Sequence, residues 1–94
     1  MEKKKYNYHG HKVTLKKSEY SNNGTLALLI TYENGEDEVL TVNLNHPLQS
    51  DSMAFLDTNN NPQVEKFIRQ NHLGLPMYVT QQSGFCKYPL YTIF

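Results

Sequence analysis

Between Leu26 and Leu44 the apolar residues recur at every second position. Leu26, Leu28, Ile30 and Tyr32 share one parity and therefore one face of a strand. Leu40, Val42 and Leu44 repeat the pattern beyond Asn34-Gly35. Asn-Gly supplies the positive φ angles of a type I′ turn, so the two runs are predicted to pair as a hairpin about a two-residue turn. Ala27, Leu29 and Val39 are apolar on the opposite face, which suggests a central hairpin partly covered on both sides.

The flanking segments repeat this reading on a smaller scale. Tyr6-Asn7-Tyr8 and Lys12 to Lys16 alternate about Gly10 and read as two short strands. Ser21 to Gly24 is a loop by composition, and Met53 to Leu56 a short apolar strand. Asn61 and Pro62 then suit the cap and first position of a helix, with Val64, Phe67 and Ile68 at helical spacing as its buried stripe. Gly74 and Pro76 end it, which predicts a helix at about residues 62–73 that must dock on the sheet to be stable. The tail reads as a second hairpin around Ser83-Gly84, with Pro89 on an edge or at a bulge because it cannot donate to a ladder. The expected fold class is therefore α+β: five to seven short antiparallel strands with one packed helix. It forms a single domain over residues 1–94, residues 1–5 being disordered.

Composition narrows what such a domain does. Hydrophobic residues make up 38% of the 94, and seven of them are tyrosines, so the expected core is thin. Nine basic and nine acidic side chains cancel. That balance argues against sequence-specific nucleic-acid binding, which draws on an excess of Lys and Arg, and equally against an acidic DNA mimic. Cys86 is the one cysteine and has no partner for an internal disulfide, and no apolar run approaches a membrane span. The expected location is the cytoplasm.

Few residues suggest chemistry. His9 and His11 flank a glycine that would aim both imidazoles at one ion, and with Cys86 or His46 they would supply mixed nitrogen and sulfur ligands to zinc. Exposed turn histidines and a cysteine acting as a small hydrophobe are the simpler reading, because no Cys-x-x-Cys or His-x-x-x-His spacing is present. Cys86 as a thiol nucleophile with a histidine and Asp57 is weaker still, since an apolar, aromatic strand disfavours the thiolate. Asp57 to Asn60 lacks the glycine and distal glutamate of a calcium loop, and turn and capping bonds explain it. The lysines at 3–5, 16 and 17 with Tyr6 and Tyr8 read as a solvated face. No catalytic residue is assigned, the chain is not read as an enzyme, and no cofactor is required.

Three stretches carry a resemblance. They are Tyr20 to Ala27, then Ala54-Phe55-Leu56-Asp57-Thr58-Asn59-Asn60-Asn61-Pro62 with Phe67 and Asn71-His72-Leu73, and last Ser83-Gly84-Phe85-Cys86-Lys87-Tyr88-Pro89-Leu90-Tyr91. Together they resemble a small bacterial domain family of unknown function carried by phages, plasmids and integrative elements. The chain departs from that pattern at Pro76 to Gln82. The resemblance implies a mobile-element setting in a host bacterial cell. In that setting the expectation is a non-enzymatic protein–protein inhibitor of a host defence protein. An anti-CRISPR protein that binds a type II CRISPR effector nuclease and blocks target DNA loading is the specific form of it. A nucleic-acid-associated accessory protein is the alternative. The expected partner-binding patch joins Tyr6, Tyr8, Tyr88 and Tyr91 to the acidic tip at Glu36, Asp37 and Glu38, because tyrosine gives contact area at low entropic cost and carboxylates meet basic surfaces.

Overall fold

The computed structural model describes residues 4–21, 24–44 and 50–94. Along them run β1 (Tyr6–Tyr8), β2 (His11–Glu19), β3 (Leu26–Tyr32), β4 (Asp37–Val39), β5 (Thr41–Val42), β6 (Met53–Leu56), α1 (Val64–Gln70), β7 (Gly74–Ser83) and β8 (Cys86–Ile93). They form two antiparallel sheets, in the orders β1-β2-β3-β4 and β5-β6-β8-β7. Strand accounts for 55% and helix for 8% of the described residues, so the α+β expectation is corrected: these residues form a mostly β architecture with one short helix.

The helix is shorter than its apolar stripe suggested because both ends are used otherwise. Asn61 and Pro62 belong to turns: the Asn61 amide donates to the Asp57 carbonyl and the Val64 amide to the Asn61 carbonyl. Helix capping passes to Gln63, which makes no side-chain capping bond. Beyond Gln70 the Leu73 amide reaches back to the Ile68 carbonyl (2.9 Å) and the His72 amide to that of Arg69 (3.3 Å). Those two bonds define a Schellman end with His72 as the left-handed residue at φ 54°. Gly74, expected to stop the helix, opens β7 instead. Val64, Phe67 and Ile68 are buried as the spacing predicted.

The central hairpin differs in its turn. The Gly35 amide donates to the Tyr32 carbonyl and the Tyr32 amide to the Glu36 carbonyl, so the loop is Glu33-Asn34-Gly35. Gly35 alone takes positive φ, at 91°. A three-residue loop ending in a left-handed glycine replaces the expected two-residue turn. The turn with two positive-φ central residues is His9-Gly10, at 52° and 78°, closing the Tyr8–His11 pair.

Beyond Val39 the chain leaves its partner strand. The Leu40 amide still donates to the Leu28 carbonyl (2.8 Å), while the Leu40 carbonyl accepts from the Asp57 amide (2.9 Å) at the other sheet. Thr41 Oγ1 accepts the Leu28 amide at 3.3 Å and shares a 2.9 Å hydrogen bond with the Tyr20 hydroxyl. This crossing splits the expected single sheet in two. The core lies between the sheets: Leu28, Ile30 and Leu40 meet Leu56, Tyr91 and Ile93, and the helix closes the side with Phe67 edge-on to Tyr8 at 5.0 Å. Leu28, Ile30 and Leu40 are fully buried as expected; Val42 and Leu29 are only half-buried and Val39 is exposed. Pro89 lies on an interior strand, opposite Thr80 and beside the register irregularity between Pro76 and Thr80, so the bulge reading holds rather than the edge one. Lys4 and Lys5, expected to be disordered, are placed over the Tyr6 ring and beside Glu33. Residues 1–3 lie outside the described segments.

Candidate functional site

The expected tyrosine patch does not form. Tyr8, Tyr88 and Tyr91 are buried, and Tyr6 packs on the core against Phe67. In a small domain whose sheets must face each other, each inward position needs a large side chain, and tyrosine fills it provided the hydroxyl finds a partner. Tyr8 donates to Asn61 Oδ1 at 3.2 Å, and Tyr91 donates to Glu65 at 2.9 Å, pinning the helix to β8. Asn61 in turn donates to the Val39 carbonyl at 3.4 Å. Burial pushes the Tyr91 phenol up to about 12, helped by the bond to Glu65. It pushes Tyr8 upward too, with Glu38 adding to it, and Tyr88 upward, with Cys86 and Asp57 adding to it. These phenols are neutral donors inside the fold.

The acidic tip does form. Four of the nine carboxylates in the chain lie between Glu33 and Glu38. Asp37 accepts from the Thr31 hydroxyl at 2.6 Å, and Glu38 accepts from Tyr32 at 2.5 Å. Burial first, then that bond, lifts the Tyr32 phenol to about 12. The Asn34 side chain holds the Glu36 amide at 3.0 Å, so the tip is braced rather than loose. Across the same sheet, Lys5 precedes β1 and β2 carries Lys12, Lys16 and Lys17. Lys5 pairs with Glu33 at 3.6 Å and Lys16 with Asp37 at 3.9 Å, both exposed and each worth little alone. Lys17 donates to the main-chain carbonyl of Phe94. The acidic corner of this neutral molecule is thus partly screened by Lys5 and Lys16, while Lys17 lies on the other face of β2. Between the turns of the two hairpins lies an open cleft of about 930 Å³, lined by Lys5, His11, Lys12 and Tyr32 with the carboxylates of the tip.

The histidines and the cysteine are not gathered. His9 and His11 are exposed, each edge-on to a different ring, Tyr8 at 5.2 Å and Tyr32 at 5.7 Å. Cys86 begins β8 in the other sheet, half-buried. Among the described residues no group of three or more His, Cys, Asp or Glu is placed to hold a metal ion. His46 lies outside the described residues. Asp57, offered above as the orienter of a thiol, accepts instead from the amide and side chain of Asn60, at 3.2 and 3.0 Å.

A second surface went unnoticed in the sequence. β7 is an edge strand, and Leu75, Met77, Tyr78 and Val79 on it are exposed, Tyr78 at 92%. Tyr78 sits in the left-handed region at φ 58° within the register irregularity, which turns its ring outward. Phe85, in the turn that follows, is fully exposed. The signal was legible: from Gln70 to Cys86 the sequence contains no charged residue.

An antiparallel two-sheet domain with one short helix and an acidic hairpin tip is the class these features define. Residues 14–94 match the model of a domain of unknown function, DUF4313, and the chain belongs to that family. No curated protein and no solved structure matches it. No helix among the described residues is long and apolar enough to cross a membrane.

Proposed function

We propose that this chain is a non-enzymatic protein-binding inhibitor carried by a mobile element. Its acidic hairpin tip docks on a basic surface of a host defence protein. The observation that supports this reading is the braced cluster of Glu33, Glu36, Asp37 and Glu38 at one corner of a neutral molecule. Separated charge orients an encounter without needing net charge, and a rigid tip loses little entropy on docking. A type II CRISPR effector nuclease is the first partner to test, because the channel that takes up its guide–target duplex is positively charged.

The experiment is DNA cleavage by purified type II effectors with and without the protein, alongside association kinetics. Inhibition is expected, with an on-rate that falls with salt and drops roughly 10-fold or more when Glu36 and Asp37 are both changed to lysine. Full cleavage at large molar excess, with no complex on size-exclusion chromatography, would overturn this reading. Retention of DNA that is lost when Lys12 and Lys16 of β2 are changed to glutamate would favour the accessory role instead.

A further inference from the structure

We infer that two copies of this chain pair through the free edge of β7, antiparallel across a two-fold axis at Gln81. The inference goes beyond the proposed function and does not depend on it. β7 is the longest described edge strand, and its regular stretch from Thr80 to Ser83 alone is longer than any of the others. β1 has three residues and follows Lys4 and Lys5; β4 has three, two of them acidic; β5 has two. Self-pairing sets each residue near its own kind, so a charged edge would repel itself. The edge of β7 carries no charge from Gly74 to Ser83, although charged side chains are the usual guard on an exposed edge.

The backbone fixes the register. Gly84 takes φ 62° at the first central position of a two-residue turn, which makes Ser83 and Cys86 a hydrogen-bonded pair. Alternation along β7 then turns the amides and carbonyls of Gln82 and Thr80 outward. Antiparallel pairing requires outward residues to face outward residues. A two-fold at Gln81 meets this condition, with Thr80 of each copy opposite Gln82 of the other. Gln81 faces its own copy, and a carboxamide, being both donor and acceptor, can hydrogen-bond to another like itself. At present Gln81 Nε2 covers the outward Gln82 carbonyl at 3.3 Å, a long contact that a strand amide would replace. The irregularity between Pro76 and Thr80 ends the ladder there. Within it, Met77 and Tyr78 of each copy are carried toward Phe85 of the other. The most exposed aromatic residues of the molecule thereby cover one another.

Sedimentation equilibrium on the full chain tests this. The wild type is expected to approach twice the 10.9 kDa of one chain as concentration rises. Gln81→Lys and Gln81→Glu should each be monomers with unchanged circular dichroism, and mixing the two should restore the dimer. Should the half-buried position 81 not tolerate a charge, Gln82→Lys, at an exposed site, is expected to abolish the dimer equally. A wild type that stays monomeric into the millimolar range would overturn the inference. So would a dimer unmoved by Gln82→Lys, or two folded, oppositely charged variants that do not associate. A monomer that still blocks nuclease cleavage would sink this pairing and leave the proposed function standing.

Discussion

Changing Gly74 to alanine sets two effects of opposite sign against each other in a single methyl group. Gly74 is not among the glycines of positive φ, so alanine meets no backbone strain there. By narrowing the unfolded ensemble it would add about 0.4–1 kcal/mol of stability. The space around it decides otherwise. A Cβ at this position would stand 2.3 Å from the Thr92 main-chain oxygen, 3.0 Å from Ile93 Cδ1 and 3.3 Å from Ile68 Cγ2. The first neighbour is backbone of the paired strand and cannot rotate away, and Ile68 and Ile93 are both buried. Overpacking of this kind costs about 1–3 kcal/mol, and the close backbone contact places it at the upper end. The net expectation is a loss of about 2 kcal/mol, or a thermal midpoint lower by roughly 8–16 °C for a domain of this size. Circular dichroism melting reads this directly. A midpoint unchanged or raised would mean that β7 and β8 separate at no cost, and the account of the glycine would be wrong.

Two further outcomes follow from the core. Phe67→Ala removes the ring that meets Tyr6 and Tyr8 edge-on and should cost about 3–5 kcal/mol, measured by urea unfolding; a loss under 1 kcal/mol would deny the packing. Tyr32 and Tyr91 have folded pKa values raised from 10.0 to about 12, so the folded state holds their protons more tightly than the unfolded one. Their contribution is complete below pH 10 and is lost as pH rises from 10 toward 12. Melting midpoints across that window should fall, and less steeply in Tyr91→Phe; a flat profile would contradict the buried hydrogen bonds.

Local pattern carried far in this sequence, and it failed where distant parts of the chain compete for one residue. The strand run Leu26 to Tyr32, the turns at Gly10 and Gly84, and the buried faces of Val64, Phe67 and Ile68 follow from spacing alone. The break at Leu40 does not, because periodicity reports which side chains turn inward and not which sheet the backbone joins. Asn61 looked like a helix cap since its side chain suits one; a tyrosine 53 positions away claimed it instead. The same blindness set buried tyrosines on the surface. Tyrosine suits an interface and a wet-edged core equally, and only the closing of two sheets decided that Tyr8, Tyr88 and Tyr91 went inside. The acidic tip was legible because charge beside a turn has nowhere to go but solvent. The uncharged edge was overlooked because its signal is a run of missing charges.

Leu40 donates to one sheet and accepts from the other within a single peptide span. The two ladders therefore share a rivet rather than a linker. Peeling either sheet away at this point breaks one of the two hydrogen bonds of Leu40, so the same buried residue anchors both. The core packed between the layers, with Leu28 and Ile30 against Leu56 and Tyr91, opposes a hinge at this point. The acidic corner and the far edge of β7 thus stand on two sheets joined at Leu40 and packed on one core.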